Sequence, residues 1–242
     1  MVAFRVFYCF LATIARDISE APAMGATLVV APHPDDEVLS CGAAIVRARK
    51  AGQRVRVVIV TDGSDSSDSE VITPEALTTQ RRGEARCAIV KLGCDPEDLV
   101  FLDFRDGHAS ESIDEIAREL KRQISEFLPR QIFSPYRDDP HADHRAVGLA
   151  VQKLIRKGAI HCRVYDFPRF QPKSALRHLL SPQKLMRVCR ISTSGLLETK
   201  RAALAEHKSQ CENLTGELSW NVLPAHWIQM FFQTNEIFLR HQ

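Results

Sequence analysis

Short apolar runs alternate with helical patterns along most of this chain, and that alternation restricts the fold more than any other feature. The predicted strands are residues 26–31, 55–61, 99–102, 131–134 and 162–167, with a further candidate at 186–192. Runs this short, each followed by a helix, are typical of parallel strands that are buried on both faces. The sequence therefore predicts an α/β fold, a Rossmann-like three-layer α/β/α sandwich with a mostly parallel sheet. No Gly-X-Gly-X-X-Gly follows a strand, which argues against a dinucleotide cofactor.

The first predicted strand runs directly into a dense cluster of ionisable side chains. Residues 31–37 read Ala-Pro-His-Pro-Asp-Asp-Glu, so His33, Asp35, Asp36 and Glu37 lie where the strand ends and a helix begins. Ligand crevices of open α/β sheets form at such junctions. Crowded carboxylates repel one another unless a cation or a proton compensates, and a divalent metal is the simplest compensation. Taken alone, the segment also suits a surface turn with a helix cap.

A second cluster far along the chain favours a site over a turn. Residues 135–144 read Pro-Tyr-Arg-Asp-Asp-Pro-His-Ala-Asp-His, again between an apolar run and a helical pattern. In a parallel sheet all such junctions lie at one edge, so the two clusters can meet. His33, Asp36 and His144 would then supply three nitrogen or oxygen ligands. Three protein ligands and one open position are the arrangement of a catalytic zinc site, although two histidines and one carboxylate also accommodate iron or cobalt.

These two motifs resemble those of the PIG-L/LmbE-like zinc-dependent N-deacetylases. His33-Pro34-Asp35-Asp36-Glu37 matches the family's first motif, and His141-Ala142-Asp143-His144 is similar to the second, with alanine where the family usually has proline. Alanine frees that backbone position but removes no ligand. Further counterparts are Thr61-Asp62-Gly63-Ser64, the stretch from Arg81 to Gly93, Asp106-Gly107, Lys200 and residues 207–210. Five motifs in the family's order cover roughly residues 25 to 215.

The resemblance implies a role for each motif residue. His33, Asp36 and His144 would hold the zinc ion, and Asp35 would be the general base for the attacking water. His141 would stand beside the reacting carbonyl as general acid or oxyanion partner, and Asp143 would orient one of the histidines. The chemistry is coherent without the family, because zinc lowers the pKa of a bound water from about 9 to about 7 and a nearby carboxylate can then accept its proton.

Three further residues are expected to contact the substrate. Arg81 and Glu84 interrupt the inward face of their predicted helix, which fits an ion pair at the rim as well as an arginine that reaches the pocket. The resemblance favours Arg81 as substrate-binding. Asp62 and Asp106 follow the second and third strands and suit contacts with sugar hydroxyls. Asp62 also begins an acidic, serine-rich loop over residues 62–70, which we expect to fold over the site.

After residue 167 the sequence pattern gives a weaker indication of secondary structure and of motifs. Residues 196–211 read as one helix, and His207 on that helix is expected to be a satisfied structural residue rather than a ligand. The tail is rich in aromatic side chains, namely Trp220, Trp227, Phe231, Phe232 and Phe238. We expect most of them in the core, with stacking on a sugar or a dimer contact as the alternatives.

Composition limits the classes that remain. The chain has 242 residues, 45% hydrophobic content and a net charge of +2, which suffices for one sizeable core and gives no electrostatic case for a nucleic-acid partner. Seven cysteines without a Cys-X-X-Cys pair suit free thiols in a reduced, cytoplasmic setting. The apolar run at residues 6–15 is followed by Arg16, Asp17 and Glu20, which argues against a cleaved secretory signal. No stretch is long enough to be a transmembrane segment.

We expect residues 1–24 to form a helical N-terminal extension and residues 25–242 a single deacetylase-like domain, in which the part from about residue 168 completes the substrate side.

Two functions from different classes remain. The leading hypothesis is a zinc hydrolase that removes an N-acyl group, most often acetyl, from an amino sugar or its conjugate. The alternative is a catalytically silent carbohydrate-binding or scaffold protein. A metal phosphoesterase is disfavoured because such sites usually assemble two metals. The expected partner is a small-molecule or glycoconjugate substrate, and a homo-oligomer stays open.

Overall fold

A central sheet of eight strands organises the computed structural model, which describes residues 2–67, 69–168 and 182–241. The strands are β1 (Arg16–Asp17), β2 (Thr27–Ala31), β3 (Val55–Thr61), β4 (Leu99–Phe104), β5 (Gln131–Pro135), β6 (Arg163–Phe167), β7 (Val188–Ser192) and β8 (Asn235–Arg240). They lie in the order β1-β7-β8-β6-β5-β2-β3-β4, and β8 alone among these eight runs antiparallel to its neighbours. The predicted α/β fold with a mostly parallel sheet is confirmed.

Helices cover both faces of the sheet. They are α1 (Val2–Ile14), α2 (Asp36–Lys50), α3 (Pro74–Lys91), α4 (Ile113–Phe127), α5 (Ala142–Arg156), α6 (Pro182–Leu185), α7 (Leu197–Leu204), α8 (Lys208–Cys211) and α9 (Ala225–Phe231), with short 3-10 turns at Ala21–Met24, Pro96–Asp98 and Ala109–Glu111. Helices α2, α3 and α7 pack on one face and α4 and α5 on the other. Among the described residues, no helix combines the length and the apolar character that crossing a membrane requires.

Strand β2 shows why its apolar run is continuous rather than alternating. Val29 and Ala31 pack into the core on the α2 side, whereas Leu28 and Val30 pack into the core on the α4 side. All four side chains are fully buried. A strand that is covered on both faces must be apolar at every position, which is the pattern that the sequence carries.

The N-terminal helix α1 packs against strands β7 and β8. Phe7, Tyr8 and Leu11 of α1 form a core with Val188 and Ile237 of β7 and β8. Strand β1 pairs with β7 in the same sheet as the rest of the chain. The division of the chain at residue 24 stays a prediction.

The C-terminal part differs from the sequence expectation in two places. The helix predicted over residues 196–211 is two helices, α7 and α8, separated at residues 205–207. The tail that was expected to be core also contains strand β8, which fills the gap between β6 and β7. Residues 169–181, which belong to the part expected to complete the substrate side, lie outside the described residues.

Parallel pairing of β2 with β5 brings the two ionisable clusters together. Thr27 of β2 is in register with Gln131 of β5, and both strands are five residues long, so their carboxyl ends lie side by side. Helix α5 then packs closely on the end of β5 at Gly148. A Cβ atom at this glycine would lie 2.8 Å from the Pro135 carbonyl oxygen and from backbone atoms of Arg137. Only glycine permits this approach.

Candidate active site

Two histidine-bearing loops meet at the carboxyl edge of the sheet. His33 lies in the loop after β2, and His144 lies in the first turn of α5, after β5. The centroids of the two imidazole rings are 5.3 Å apart, and His141 lies 4.9 Å from His33 and 5.2 Å from His144. His33 is more than one hundred positions away from His141 and His144 in the sequence, and the parallel pairing of β2 with β5 brings the three rings together.

Asp36 joins the two predicted metal-binding histidines. Its Oδ2 atom lies 3.3 Å from His33 Nδ1 and 3.1 Å from His144 Nε2. One ligand atom from each of the three residues falls within 4.8 Å of the others. Bonds of about 2.0–2.2 Å in tetrahedral geometry separate neighbouring ligand atoms by about 3.3 Å. The donor set of two imidazole nitrogens and one carboxylate oxygen therefore fits a divalent ion in both chemistry and spacing.

A second group of potential ligands overlaps the first and consists of His33, His141 and Asp143. Asp143 is fully buried, and its carboxylate already accepts hydrogen bonds from the Gly107 N–H at 2.8 Å and the Ala109 N–H at 3.1 Å. Burial alone would raise the pKa of Asp143, but the His33 ring and these N–H groups lower it to about 2. A carboxylate bound in this way suits an orienting role better than a place in the metal shell.

His33 is held from both sides of its ring. While Nδ1 faces Asp36, Nε2 lies 3.1 Å from Asp143 Oδ2 and 3.3 Å from Asp106 Oδ1. Metal-binding histidines commonly direct their second ring nitrogen at a carboxylate, which fixes the tautomer and the ring orientation. Burial opposes a charge on His33, but the neighbouring carboxylates raise its pKa well above the usual range. Asp106, predicted to contact substrate, thus lies against His33, and its contact with a sugar stays a prediction.

Asp35 lies next to Asp36 in the sequence, but its carboxylate lies near Arg81. Its backbone adopts φ 134° and ψ −27°, a strained conformation for a residue with a side chain. Its N–H donates to Glu37 Oε2 at 2.9 Å, and its Oδ2 atom lies 3.8 Å from Arg81 Nη2. Burial and the charge of Asp36 raise the pKa of Asp35 to about 7. The adjacent aspartates therefore have different surroundings, with Asp36 among imidazoles and Asp35 outside both groups of potential ligands found among the described residues.

Arg81 connects the loop after β2 to the loop after β3. It is 2% exposed, and its two terminal nitrogens donate to the Pro34 carbonyl at 3.0 Å and the Gly63 carbonyl at 3.1 Å. A Cβ at Gly63, where φ is +71°, would lie 2.6 Å from Arg81 Nη1. The arginine therefore shapes the loop that carries Asp35, and its predicted contact with substrate remains untested.

Asp62 is connected to the histidine cluster through Asp106, which contacts His33. Its Oδ1 atom accepts the N–H groups of Ser64 and Asp106. Asp62 also lines an open groove of about 610 Å³ together with Thr78, Thr79 and Arg86. No residue of the histidine cluster lines this groove, and the predicted contact of Asp62 with a substrate stays a prediction.

His207 reaches the site from the C-terminal part of the chain. Its Nε2 atom lies 2.8 Å from Glu37 Oε1, and both side chains are fully buried. Burial lowers the pKa of His207, but the Glu37 carboxylate outweighs this effect and raises the pKa above the usual range. The other oxygen of Glu37 accepts the Asp35 N–H, so His207 supports the strained backbone of Asp35 through Glu37. Sequence reasoning kept His207 out of the metal ligands but missed this link, because no local pattern connects residues 170 positions apart.

Glu84 shows a second connection of the same kind. Its carboxylate accepts the backbone N–H of Ser209 at 2.9 Å and the Ser209 hydroxyl at 2.6 Å. The rim ion pair with Arg81 that the helical spacing allowed is not formed, because Arg81 turns to the backbone carbonyls instead. Helix α3 is thereby joined to α8.

Comparison with known proteins identifies the family. The family model of PIG-L, described as GlcNAc-PI de-N-acetylase, matches residues 28–155, which include both histidine clusters and more than half of the chain. The chain belongs to the PIG-L family. The predicted resemblance is therefore confirmed, and the match ends before β6.

Individual relatives support the same assignment. The uncharacterized deacetylase YaiS of Escherichia coli (strain K12) is 27% identical over 144 residues, which are 57% of this chain and 72% of that protein. A probable N-acetyl-alpha-D-glucosaminyl L-malate deacetylase 2 of Bacillus cereus is 27% identical over 190 residues, which are 76% of this chain and 83% of that protein. Together with the family, these relatives indicate an N-deacetylase.

A solved structure shares the fold. N,N'-diacetylchitobiose deacetylase from Pyrococcus horikoshii, in complex with its inhibitor MPG, superposes with a TM-score of 0.68 at 20% identity. The match covers 89% of this chain and 83% of that one. The match therefore covers more of the chain than the segment that the family model matches.

Proposed function

We propose that this PIG-L family member is a zinc-dependent N-deacetylase that hydrolyses the N-acetyl group of an amino-sugar conjugate. The observation that carries the proposal is the convergence of His33, Asp36 and His144, with Asp35 beside them and outside the ligand set. A site with three protein ligands suits a hydrolytic metal better than a structural one, which is usually closed by four ligands. A divalent ion held by these three residues would supply a Lewis acid for an amide carbonyl and for water.

The residues around the ion would divide the remaining tasks. Asp35 accepts the proton of the attacking water, because it is the one carboxylate of the Asp35–Asp36 pair that does not face the two imidazoles. His141, at the rim and partly exposed, stabilises the oxyanion and delivers a proton to the leaving amine. Asp143 and Asp106 hold His33 in orientation.

The proposed substrate class is supported by the descriptions of two similar proteins. One relative is described as a probable N-acetyl-alpha-D-glucosaminyl L-malate deacetylase, and the structural neighbour is described as an N,N'-diacetylchitobiose deacetylase. The seven cysteines are all free thiols, which supports a reducing, cytoplasmic setting.

The test combines metal analysis with product detection. The purified protein is analysed for metals by mass spectrometry and assayed for acetate release from N-acetylglucosamine, N,N'-diacetylchitobiose and N-acetylglucosaminyl conjugates. We expect about one zinc per chain, loss of activity after chelation and recovery on addition of zinc. For substitutions in the histidine cluster, His108→Ala serves as the control variant, because the His108 side chain is paired with Glu111 at the surface and not with the cluster.

The outcomes separate the competing functions. Acetate release that persists after complete removal of metal would contradict the metal-dependent mechanism. A protein that binds sugars and metal but releases no acetate from any of the conjugates would instead support the silent carbohydrate-binding alternative.

A further inference from the structure

A second cavity lies at the opposite edge of the sheet from the histidine cluster. It has a volume of about 750 Å³, which falls within the usual range of small-molecule sites. The cavity is formed where β5 and β6 begin and β8 ends. The parallel strands that carry the candidate active site at their carboxyl ends therefore carry this cavity at their amino ends.

Three arginines from neighbouring strands line this cavity. Arg130 precedes β5, Arg163 is the first residue of β6, and Arg240 is the last residue of β8. These strands are consecutive in the sheet, in the order β8-β6-β5, and neighbouring strands lie about 4.8 Å apart. The backbone N–H of Arg163 also donates to the carbonyl of Arg130. The fold thus places three positive charges along one short edge, and we call them the arginine cluster.

The arginine cluster has no opposing charge. No Asp or Glu lines the cavity. Within residues 2–67, 69–168 and 182–241, no carboxylate lies within 4.0 Å of any of the three guanidinium groups. The neighbouring Asp166 is instead occupied by His241, at 2.7 Å. Like charges gathered in one concave surface repel one another, and a bound anion would relieve that repulsion.

The rest of the cavity wall is partly apolar and partly polar. Met24, Ile124, Leu128, Ile155 and Ile160 supply the apolar part, and Ser125, Gln131, His161 and His241 supply the polar part. Met24 and Leu128 are 66% and 72% exposed, so two large apolar side chains stand in water at the same place as the cations. A ligand that satisfies both surfaces has an anionic end and a less polar body.

We propose that this cavity binds a small organic phosphate of nucleotide size. The phosphates lie on the arginine cluster, because the planar guanidinium group matches phosphate oxygens in a bidentate manner. The less polar body of the ligand lies against the wall that contains Met24 and Ile160. Since the cavity opens at the edge of the sheet opposite to His33 and His144, this inference does not depend on the proposed catalytic function.

Calorimetric titration with ADP tests the proposal, with adenosine as the uncharged probe. We expect ADP to bind and adenosine to give no measurable heat. The variant Arg130→Gln/Arg163→Gln/Arg240→Gln should weaken ADP binding by about tenfold or more, because charge-assisted hydrogen bonds are lost. The matched control Arg118→Gln/Arg122→Gln/Arg201→Gln removes the same charge from exposed positions outside the cavity and should keep the affinity. His144→Ala should also keep it.

Thiol labelling locates the bound ADP. Cys162 lines the cavity, whereas Cys9 and Cys87 are exposed elsewhere and serve as internal references. Bound ADP should slow alkylation of Cys162 several-fold relative to the two references, as measured by peptide mass spectrometry. Absence of ADP binding, an equal loss of affinity in the matched control, or unchanged labelling of Cys162 at saturating ADP would each overturn the proposal.

Discussion

The N-terminal and C-terminal parts of the chain contribute to the candidate active site in different ways. Residues 28–155, which the family model matches, supply His33, Asp36, His141 and His144, whose rings and carboxylate face one another. Residues 197–241 supply none of the potential metal ligands found in the described part of the chain, but they supply buried partners for residues that stand behind those ligands. One part presents the reactive atoms, and the other fixes their positions.

Helix α2 shows how the two parts are joined. Its first residue is Asp36, and its middle turns accept contacts from the C-terminal part. The N–H groups of Ala43 and Ala44 donate to the carboxylate of Glu236, which also pairs with Lys200 Nζ at 2.7 Å. Lys200 and Glu236 are both buried. The C-terminal strand β8 therefore anchors the helix whose first turn carries Asp36, the carboxylate that faces both imidazoles.

If this division is correct, substitutions of the histidines and of Asp36, which face one another in the cluster, should reduce turnover most. Asp36→Ala removes the carboxylate that lies within 3.3 Å of both histidines. We expect the variant to lose bound metal and deacetylation together, as measured by metal analysis and acetate release on the same samples. A fully metallated Asp36→Ala protein would contradict the assignment of this residue as a ligand.

Asp35→Asn separates catalysis from metal binding. The amide keeps the shape of the side chain but cannot accept a proton, so we expect full zinc content and a fall in kcat of about 10²- to 10⁴-fold. Steady-state acetate release and metal content would be measured in parallel with the His108→Ala control. A variant as active as the parent would refute the role of Asp35 as general base.

His207→Ala tests the support that comes from the C-terminal part. Glu37 would lose its 2.8 Å partner and hold the Asp35 backbone less firmly, so we expect kcat to fall by about 10- to 100-fold, with KM and zinc content little changed. His207→Gln restores a donor to Glu37 and should recover part of the loss. If both variants lose only stability, and the folded fraction turns over normally, then His207 does not position Asp35.

Lys200→Met should affect stability far more than turnover. The substitution leaves Glu236 buried without its partner, which typically costs about 3–5 kcal/mol in the free energy of unfolding. The double variant Lys200→Met/Glu236→Leu should recover much of that loss, and urea denaturation would measure both. Lys91→Met is the control, because the Lys91–Glu206 pair is partly exposed at the surface and its loss should change stability far less. A larger loss of kcat than of stability would place Lys200 among the residues that act on the reaction.

The parallel strands could be predicted because their signal is local. The apolar runs of β2 and β3 match the observed strands within one residue, since burial on both faces demands apolar side chains at consecutive positions. The two histidine clusters were equally visible, because each is a contiguous segment. Strand β8 was missed because its residues 237–239 lie in an aromatic-rich tail, where apolar character alone does not distinguish strand from packed loop.

The partners of the buried charged residues could not be predicted. Spacing along α3 allowed an Arg81–Glu84 pair, but Arg81 binds the Pro34 and Gly63 carbonyls and Glu84 binds Ser209. The choice depends on which groups a buried ion meets after the chain has folded, and each of these partners is distant in sequence.

The sequence by itself determined the layered architecture and the residues of the two histidine clusters, because strand burial and motif composition depend on neighbouring residues. The tertiary structure alone decided that Asp35 is strained and held by Glu37 and His207, and that three arginines share one cavity at the opposite edge. These arrangements depend on strand order and register, which bring together side chains that no local pattern relates.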